Sequence, residues 1–113
     1  MRDHSELTLR EQNDFNRVYN RGNSKGSKYV VVLYNKNKLG YSRVAFVASK
    51  KVGNSVMRNR SRRLMREAYR SFKDKIVPGY DIIFVARNTI GDCKYDEVSR
   101  AMFGATRAAG LFN

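Results

Sequence analysis

The sequence predicts an α+β fold: a small mixed sheet with helices packed against it, a two-layer αββαβα sandwich. Three observations predict it. Residues 29–34 (YVVVLY) and 41–48 (YSRVAFVA) are β-branched and aromatic runs separated by a polar stretch. Residues 81–87 (DIIFVAR) form a continuous apolar run of the kind buried on both faces. Between the second and third runs lies a long segment with helical period, so strand, helix and strand make a βαβ unit. The length of 113 residues fits one domain over 1–113, with 1–7 expected as a flexible lead-in.

The elements follow in order. Thr8-Leu9-Arg10-Glu11 has the pattern of a capping box, with Thr8 as cap and Glu11 reaching back. The helix should run to about Arg21, with Gly22 as its stop. Phe15, Val18 and Tyr19 share one side of it. Val18 reads as core; Phe15 and Tyr19, four apart and flat, suit either core packing or stacking on bases. Residues 22–28 (GNSKGSK) read as a loop and 35–40 (NKNKLG) as a polar hairpin turn. Strands 29–34 and 41–48 are therefore expected to pair antiparallel. Along the second, Val44, Phe46 and Ala48 fall on one side, and Arg43, Ala45 and Val47 on the other.

The segment 49–76 carries most of the charge. It holds ten basic residues against Glu67 and Asp74, a net +8 of the chain's +13. At about 100° per residue, Ser61, Leu64, Met65, Ala68, Phe72 and Ile76 share one arc. Arg58, Arg62, Arg66, Arg70 and Lys73 share the adjoining one, with Asn59 and Arg63 beside them and Arg60 at the far rim. One face can enter a core while the other presents guanidiniums, whose planar fork suits phosphate oxygens. Ordinary surface helices interleave Glu with Lys; this one barely does. Gly53 allows the turn into the helix, and Asn54 or Ser55 is its expected N-cap. Lys50 and Lys51 strengthen a phosphate site at that N-terminus. Pro78-Gly79 breaks the helix. After the strand at 81–87 and a loop at 88–92, Tyr95, Val98, Met102, Ala105 and Ala109 recur with helical spacing.

Charge and composition narrow the function. A net charge of +13 and a pI near 10.3 call for a polyanionic partner, nucleic acid first and an anionic membrane surface second. A membrane-surface binder needs exposed bulky apolar residues beside the basic face, whereas the apolar arc here is required by the core. No run approaches the roughly 20 apolar residues of a membrane span, and the first ten residues lack a signal-peptide stretch, so a cytoplasmic protein is expected. His4 and Cys93, each the sole residue of its kind, read as inert. No nucleophile–base set, carboxylate cluster or phosphate-loop glycine pattern occurs, so no small-molecule substrate is indicated. Asp92, Asp96 and Glu97 read as helix-start acids rather than metal ligands. The residues argue for an RNA- or DNA-binding module.

A more specific pattern lies within 49–67. Ser49-Lys50-Lys51-Val52-Gly53-Asn54, then Arg58-Asn59-Arg60, then Arg62-Arg63-Leu64-Met65-Arg66-Glu67, resembles the signature of the bacterial ribonuclease P protein subunit. Phe15-x-x-Val18-Tyr19 before Gly22 is similar to that family's first helix, and the resemblance covers most of the chain. It departs at Ser55, where Ala is common; at Ser61, where an aliphatic residue usually follows and packing should weaken; and at Asn88, where a second basic residue often follows Arg87.

The resemblance implies a fold like domain 2 of ribosomal protein S5, with a left-handed βαβ crossover. It implies a non-catalytic subunit of a ribonucleoprotein endonuclease that removes the 5′ leader of precursor tRNA. The RNA subunit would carry the catalytic site and its magnesium ions. Phe15, Tyr19, Tyr34, Asn59, Arg62 and Arg66 would bind the single-stranded leader in a cleft between the first helix and the sheet. Lys50, Lys51, Arg58, Arg60, Arg63 and Arg87 would contact the RNA subunit. A purely structural ribosomal protein is the competing reading of the same small basic profile.

Overall fold

The chain runs α1 (Gln12–Arg21), β1 (Asn23–Gly26), β2 (Val30–Lys36), β3 (Arg43–Val47), α2 (Ser55–Arg70), β4 (Tyr80–Ala86) and α3 (Tyr95–Ala108), in a computed structural model that describes residues 8–113. The expected lead-in at 1–7 and His4 lie outside the described residues. Short 3₁₀ turns at Lys73–Lys75 and Asn88–Ile90 follow α2 and β4.

One mixed sheet has the order β1-β2-β4-β3. β1 and β2 are antiparallel, as are β2 and β4, while β3 and β4 are parallel. The βαβ unit of β3, α2 and β4 is therefore present, but the expected β2–β3 hairpin is not. β4 lies between them. Ile82, Ile83 and Phe84 are all fully buried, and a strand buried on both faces is best served by a neighbour on each edge. The polar connection crosses the entry to β4 instead of turning tightly. It is pinned there by Asn37 N–H donating to the Gly79 carbonyl at 2.9 Å and Ser42 Oγ to the Val77 carbonyl at 2.7 Å.

Three local expectations also shift. Thr8 does not cap α1. It bridges to Val44 alongside β3, with Leu9 N–H donating to the Val44 carbonyl at 2.9 Å. Leu9 is 2% exposed, so pairing to the β3 edge and burial of Leu9 outweigh a capping box, and α1 begins after Glu11. The 23–26 stretch is an edge strand rather than loop; all four residues are exposed, so it shows no apolar alternation. Finally, α2 ends at Arg70. Ser71 Oγ bonds the Ala68 carbonyl at 2.6 Å, and the chain beyond is drawn to the C-terminus by Val77 N–H on the Leu111 carbonyl at 2.8 Å. Phe72 and Ile76 are still buried, as the arc requires, but from outside the helix. The expected cap at Asn54 is present, its Oδ1 accepting from Met57 N–H at 3.0 Å. α3 covers the expected positions from Tyr95 to Ala105, with Ala109 as its C-cap, and is opened by Glu97 Oε1 accepting from Lys94 N–H at 3.1 Å.

The strands divide their side chains between two clusters with the period of two that a pleated sheet imposes. Val30, Val32, Val44, Ile82, Phe84 and Ala86 face α2 and α3. Leu33, Ala45, Val47, Ile83 and Val85 face the other way, with Val18 of α1. The main sandwich is thus the sheet with α2 and α3, and α1 adds a short cover on the opposite face. Phe84 locks the main layer: its ring is 5.8 Å from Phe46 of β3 and 5.7 Å from Tyr69 of α2. Such aromatic pairs contribute about 0.5–1.5 kcal/mol each beyond area burial. Ser61, in the middle of this packing, is 1% exposed but not orphaned; its Oγ donates to the Met57 carbonyl at 2.9 Å.

Candidate nucleic-acid interface

α1 lies crosswise over one end of the sheet. At its start, Asp14 pairs with Arg43 at the beginning of β3 (3.1 Å). At its end, Gly22 packs so closely on the last turn of α1 and on β2 that a Cβ there would lie 2.4 Å from the Val18 carbonyl and 2.7 Å from that of Tyr34. Glycine is required by that approach. Arg43 is held in turn by Asp81, whose carboxylate accepts from Nε at 2.8 Å and Nη2 at 2.7 Å and, through Oδ1, from Asn37 Nδ2 at 3.0 Å. These bonds raise the Arg43 pKa, the Asp81 hydrogen bond most of all. The clamp fixes the angle of α1. Only an acid standing at the head of an apolar strand hinted at it in the sequence.

Because α1 covers one end, the other half of that sheet face is left beside it. Val31, Val85 and Val47 form one row across β2, β4 and β3 there. All three are only half-buried. This row is an apolar floor. Phe15 stands beside it, half-buried against Leu9, Val18, Ala45 and Ile83. Tyr19, one helical turn on, is 51% exposed, and partial burial still raises its phenol above the ordinary value. An exposed ring one turn from Phe15 on the same helix is free to stack on flat ligands.

The far end of the strip is basic. β3 and β4 finish there, and α2 begins there. Arg62 Nη1 reaches the Ala48 carbonyl at the end of β3 (3.5 Å), and Nη2 donates to Asn59 Oδ1. Lys50 and Lys51 are exposed in the turn between β3 and α2, and Arg63 is exposed on the helix. Gly53 makes this turn possible with φ 144°, and a Cβ on it would meet Met57 Sδ at 2.7 Å. The first turn of α2 carries no acid, so its amide end stays attractive to anions.

Four of the expected residues have structural duties or different surroundings. Arg60 donates to the Gly91 carbonyl at 3.1 Å and the Cys93 carbonyl at 2.6 Å, tying α2 to the turn after β4. Arg87 donates to the Ser27 carbonyl at 2.7 Å, holding the β1–β2 connection. Arg66 lies over the Phe46 ring, 5.4 Å from its centroid, on the α2 side of the sheet. Tyr34 is in register with Ile82 and packs with the same cluster, 6.4 Å from Tyr80. Strand alternation puts Tyr34 on the face opposite Phe15 and Tyr19, where Leu33 is the residue that faces α1. Arg66 and Tyr34 are thus not brought to the strip. Arg58 is half-buried, with its Nε unpartnered.

Among the described residues no group of three or more His, Cys, Asp or Glu is arranged to hold an ion, and Asp14 and Asp81 are occupied by Arg43. The Cys93 thiol is buried, which pushes its pKa up and away from the reactive thiolate. No helix among the described residues is long and apolar enough to cross a membrane.

Comparison with known proteins gives this surface a setting. The sequence profile of the family described as ribonuclease P matches residues 4–110. The ribonuclease P protein component of Alkaliphilus oremlandii is 42% identical over 105 residues, covering 93% of this chain and 92% of its own. That of Clostridioides difficile is 45% identical over 95 residues, 83% of each. Among solved structures, the RNase P protein of Staphylococcus aureus superposes with a TM-score of 0.86 at 30% identity, over 95% of this chain and 98% of that one. The protein from Thermotoga maritima gives 0.80 at 30% identity, over 90% and 97%. With sequence and fold matching over nearly the whole length, the chain belongs to the ribonuclease P protein family, the protein components of the endoribonuclease that processes the 5′ end of tRNA.

Proposed function

We propose that this subunit works in the cytoplasm by holding two RNAs at once: the single-stranded leader of precursor tRNA on the open strip, and the catalytic RNA subunit along the basic end of α2. The observation that carries this is the half-buried row Val31–Val85–Val47, open between the α1 rings and the Arg62 end of α2. A single strand offers bases and phosphates together. Phe15 and Tyr19 supply the stacking wall, the valines an apolar floor, and Arg62 with Asn59 the polar rim. Stacking contributes about 1–3 kcal/mol per base and tolerates many sequences, as a subunit serving many leaders requires. Lys50, Lys51, Arg58 and Arg63 would neutralise phosphates of the RNA subunit. Arg60 and Arg87 would act chiefly by holding the turns behind that surface. Tyr34 and Arg66, with their surroundings on the other face, are left out of the strip. Magnesium belongs in this reading to the RNA subunit; the protein's part is to bind and orient.

The experiment compares affinities of the assembled enzyme for leader-bearing precursor and for mature tRNA. Phe15→Ala and Arg62→Gln are each expected to weaken precursor binding about tenfold, the order of one stacked base or one charge-assisted contact. Mature tRNA binding should stay within twofold. Equal losses for both substrates would remove the leader from the strip.

A further inference from the structure

The opposite flank of α1 carries a second surface that the leader strip and the α2 end leave unused. Arg17, Arg21, Lys36 and Lys38 line a cleft of about 410 Å³, together with Asn35 and Asn37. A second hollow of about 350 Å³ shares Arg17 and Arg21 and adds Asn13, Asn16 and Asn20 from the outer face of α1. Every residue lining the two is Asn, Arg or Lys; no carboxylate enters either wall. Arg17 pairs with Asp14 at 3.1 Å, but the side chains of Arg21, Lys36 and Lys38 have no hydrogen-bond or ion-pair partner among the described residues. Lys38 is held out at the tip of the β2–β3 connection by a left-handed backbone (φ 62°).

Its position separates it from the α2 end. Lys36 closes β2, and β2 runs antiparallel to β4, so this cleft sits where β4 begins. The α2 surface sits where β4 finishes. The two are a strand length apart, roughly 20 Å. The lining also separates it from the leader strip. No aromatic ring lines the cleft, so splayed bases have nothing to stack on. Cations with amide side chains suit instead a helical RNA, which keeps its bases inside and offers phosphates and 2′-hydroxyls.

We propose that this cleft is a second docking surface for double-helical RNA, and that its occupant is the same RNA subunit that α2 engages. The choice of occupant rests on the proposed function. Four cations without aromatic support bind weakly alone, but a partner already fixed on α2 is presented at high effective concentration. A tRNA tethered only through a flexible leader gains less from such a surface. Two anchors a strand length apart also fix the protein's orientation on the RNA, which one helix face does not.

The test is the salt dependence of RNA-subunit binding, in the absence of substrate. Arg21→Gln, Lys36→Gln and Lys38→Gln are combined, leaving Arg17 to Asp14. The slope of log affinity against log salt should become shallower by about 2–3, with at least a tenfold loss at moderate salt. Lys50→Gln with Arg63→Gln serves as the α2 control. Should the control flatten the slope while the triple variant does not, the second surface is wrong and the proposed function stands. If neither changes it, both fall. Loss of mature tRNA binding alone by the triple variant would assign the cleft to substrate and overturn the choice of occupant. The pair Lys36→Gln and Lys38→Gln, outside any helix, repeats the measurement should the triple variant melt early.

Discussion

Asp81 is 2% exposed, and its charge is met by the fork of Arg43 and the amide of Asn37. A buried carboxylate costs several kcal/mol to desolvate, so removing its cation strands it. Arg43→Ala is expected to destabilise the fold by about 3–5 kcal/mol in urea unfolding. Asp81→Leu combined with it should recover much of that loss, because the stranded charge is gone. Since the pairing raises the Arg43 pKa, the guanidinium's share of this contribution is complete below the ordinary arginine range and fades only as pH rises through the raised value. Hydrogen exchange should also show α1 opening first in Arg43→Ala, since Arg43 is the residue that ties Asp14 to the sheet.

At the scale of elements, α3 offers a pH test. Its start is closed by the Glu97 carboxylate on Lys94 N–H, and that bond holds the Glu97 pKa below the usual carboxylate value. A lowered folded pKa means the contribution is complete above the ordinary glutamate range and fades as pH falls through the folded value. Exchange of the first α3 amides is therefore expected to accelerate once pH falls below the ordinary glutamate range, and in Glu97→Gln that acid step should vanish. The helices were legible in the sequence because a 3.6-residue period repeats locally; Asn54 and the arc from Ser61 to Ala68 marked α2, although the same arc ran on to Ile76, past the helix end at Arg70. Strand partnership was not legible. Nothing within 29–34 or 41–48 says that a third strand comes between them, since edge matching is decided only when β4 is present. The edge strand at 23–26, exposed at every position, lacked any apolar signal. The basic end of the site was readable from composition. The valine row and the placement of Tyr34 depended on which sheet face α1 covers.

For the whole molecule, +13 on 113 residues means strong self-repulsion, concentrated where α2 begins. Multivalent anions that bind the native surface should stabilise it by linkage. At tenfold over its dissociation constant, one bound sulfate contributes about 1.4 kcal/mol, or a rise in Tm of roughly 4–8 °C. Sodium chloride at equal ionic strength should give clearly less; an equal rise would mean simple screening rather than site binding. The central position of β4 also bears on how the chain is made. On the ribosome, β2 and β3 emerge well before the strand that must lie between them. Until residues 80–86 are free of the exit tunnel, both carry an open edge and an uncovered apolar face. Folding thus waits for the last third of the polypeptide and then proceeds through contacts distant in sequence, which is the slow, cooperative regime. A truncated product ending in α2 would have the full basic helix but not the central strand that joins β3 to the rest of the sheet beneath it.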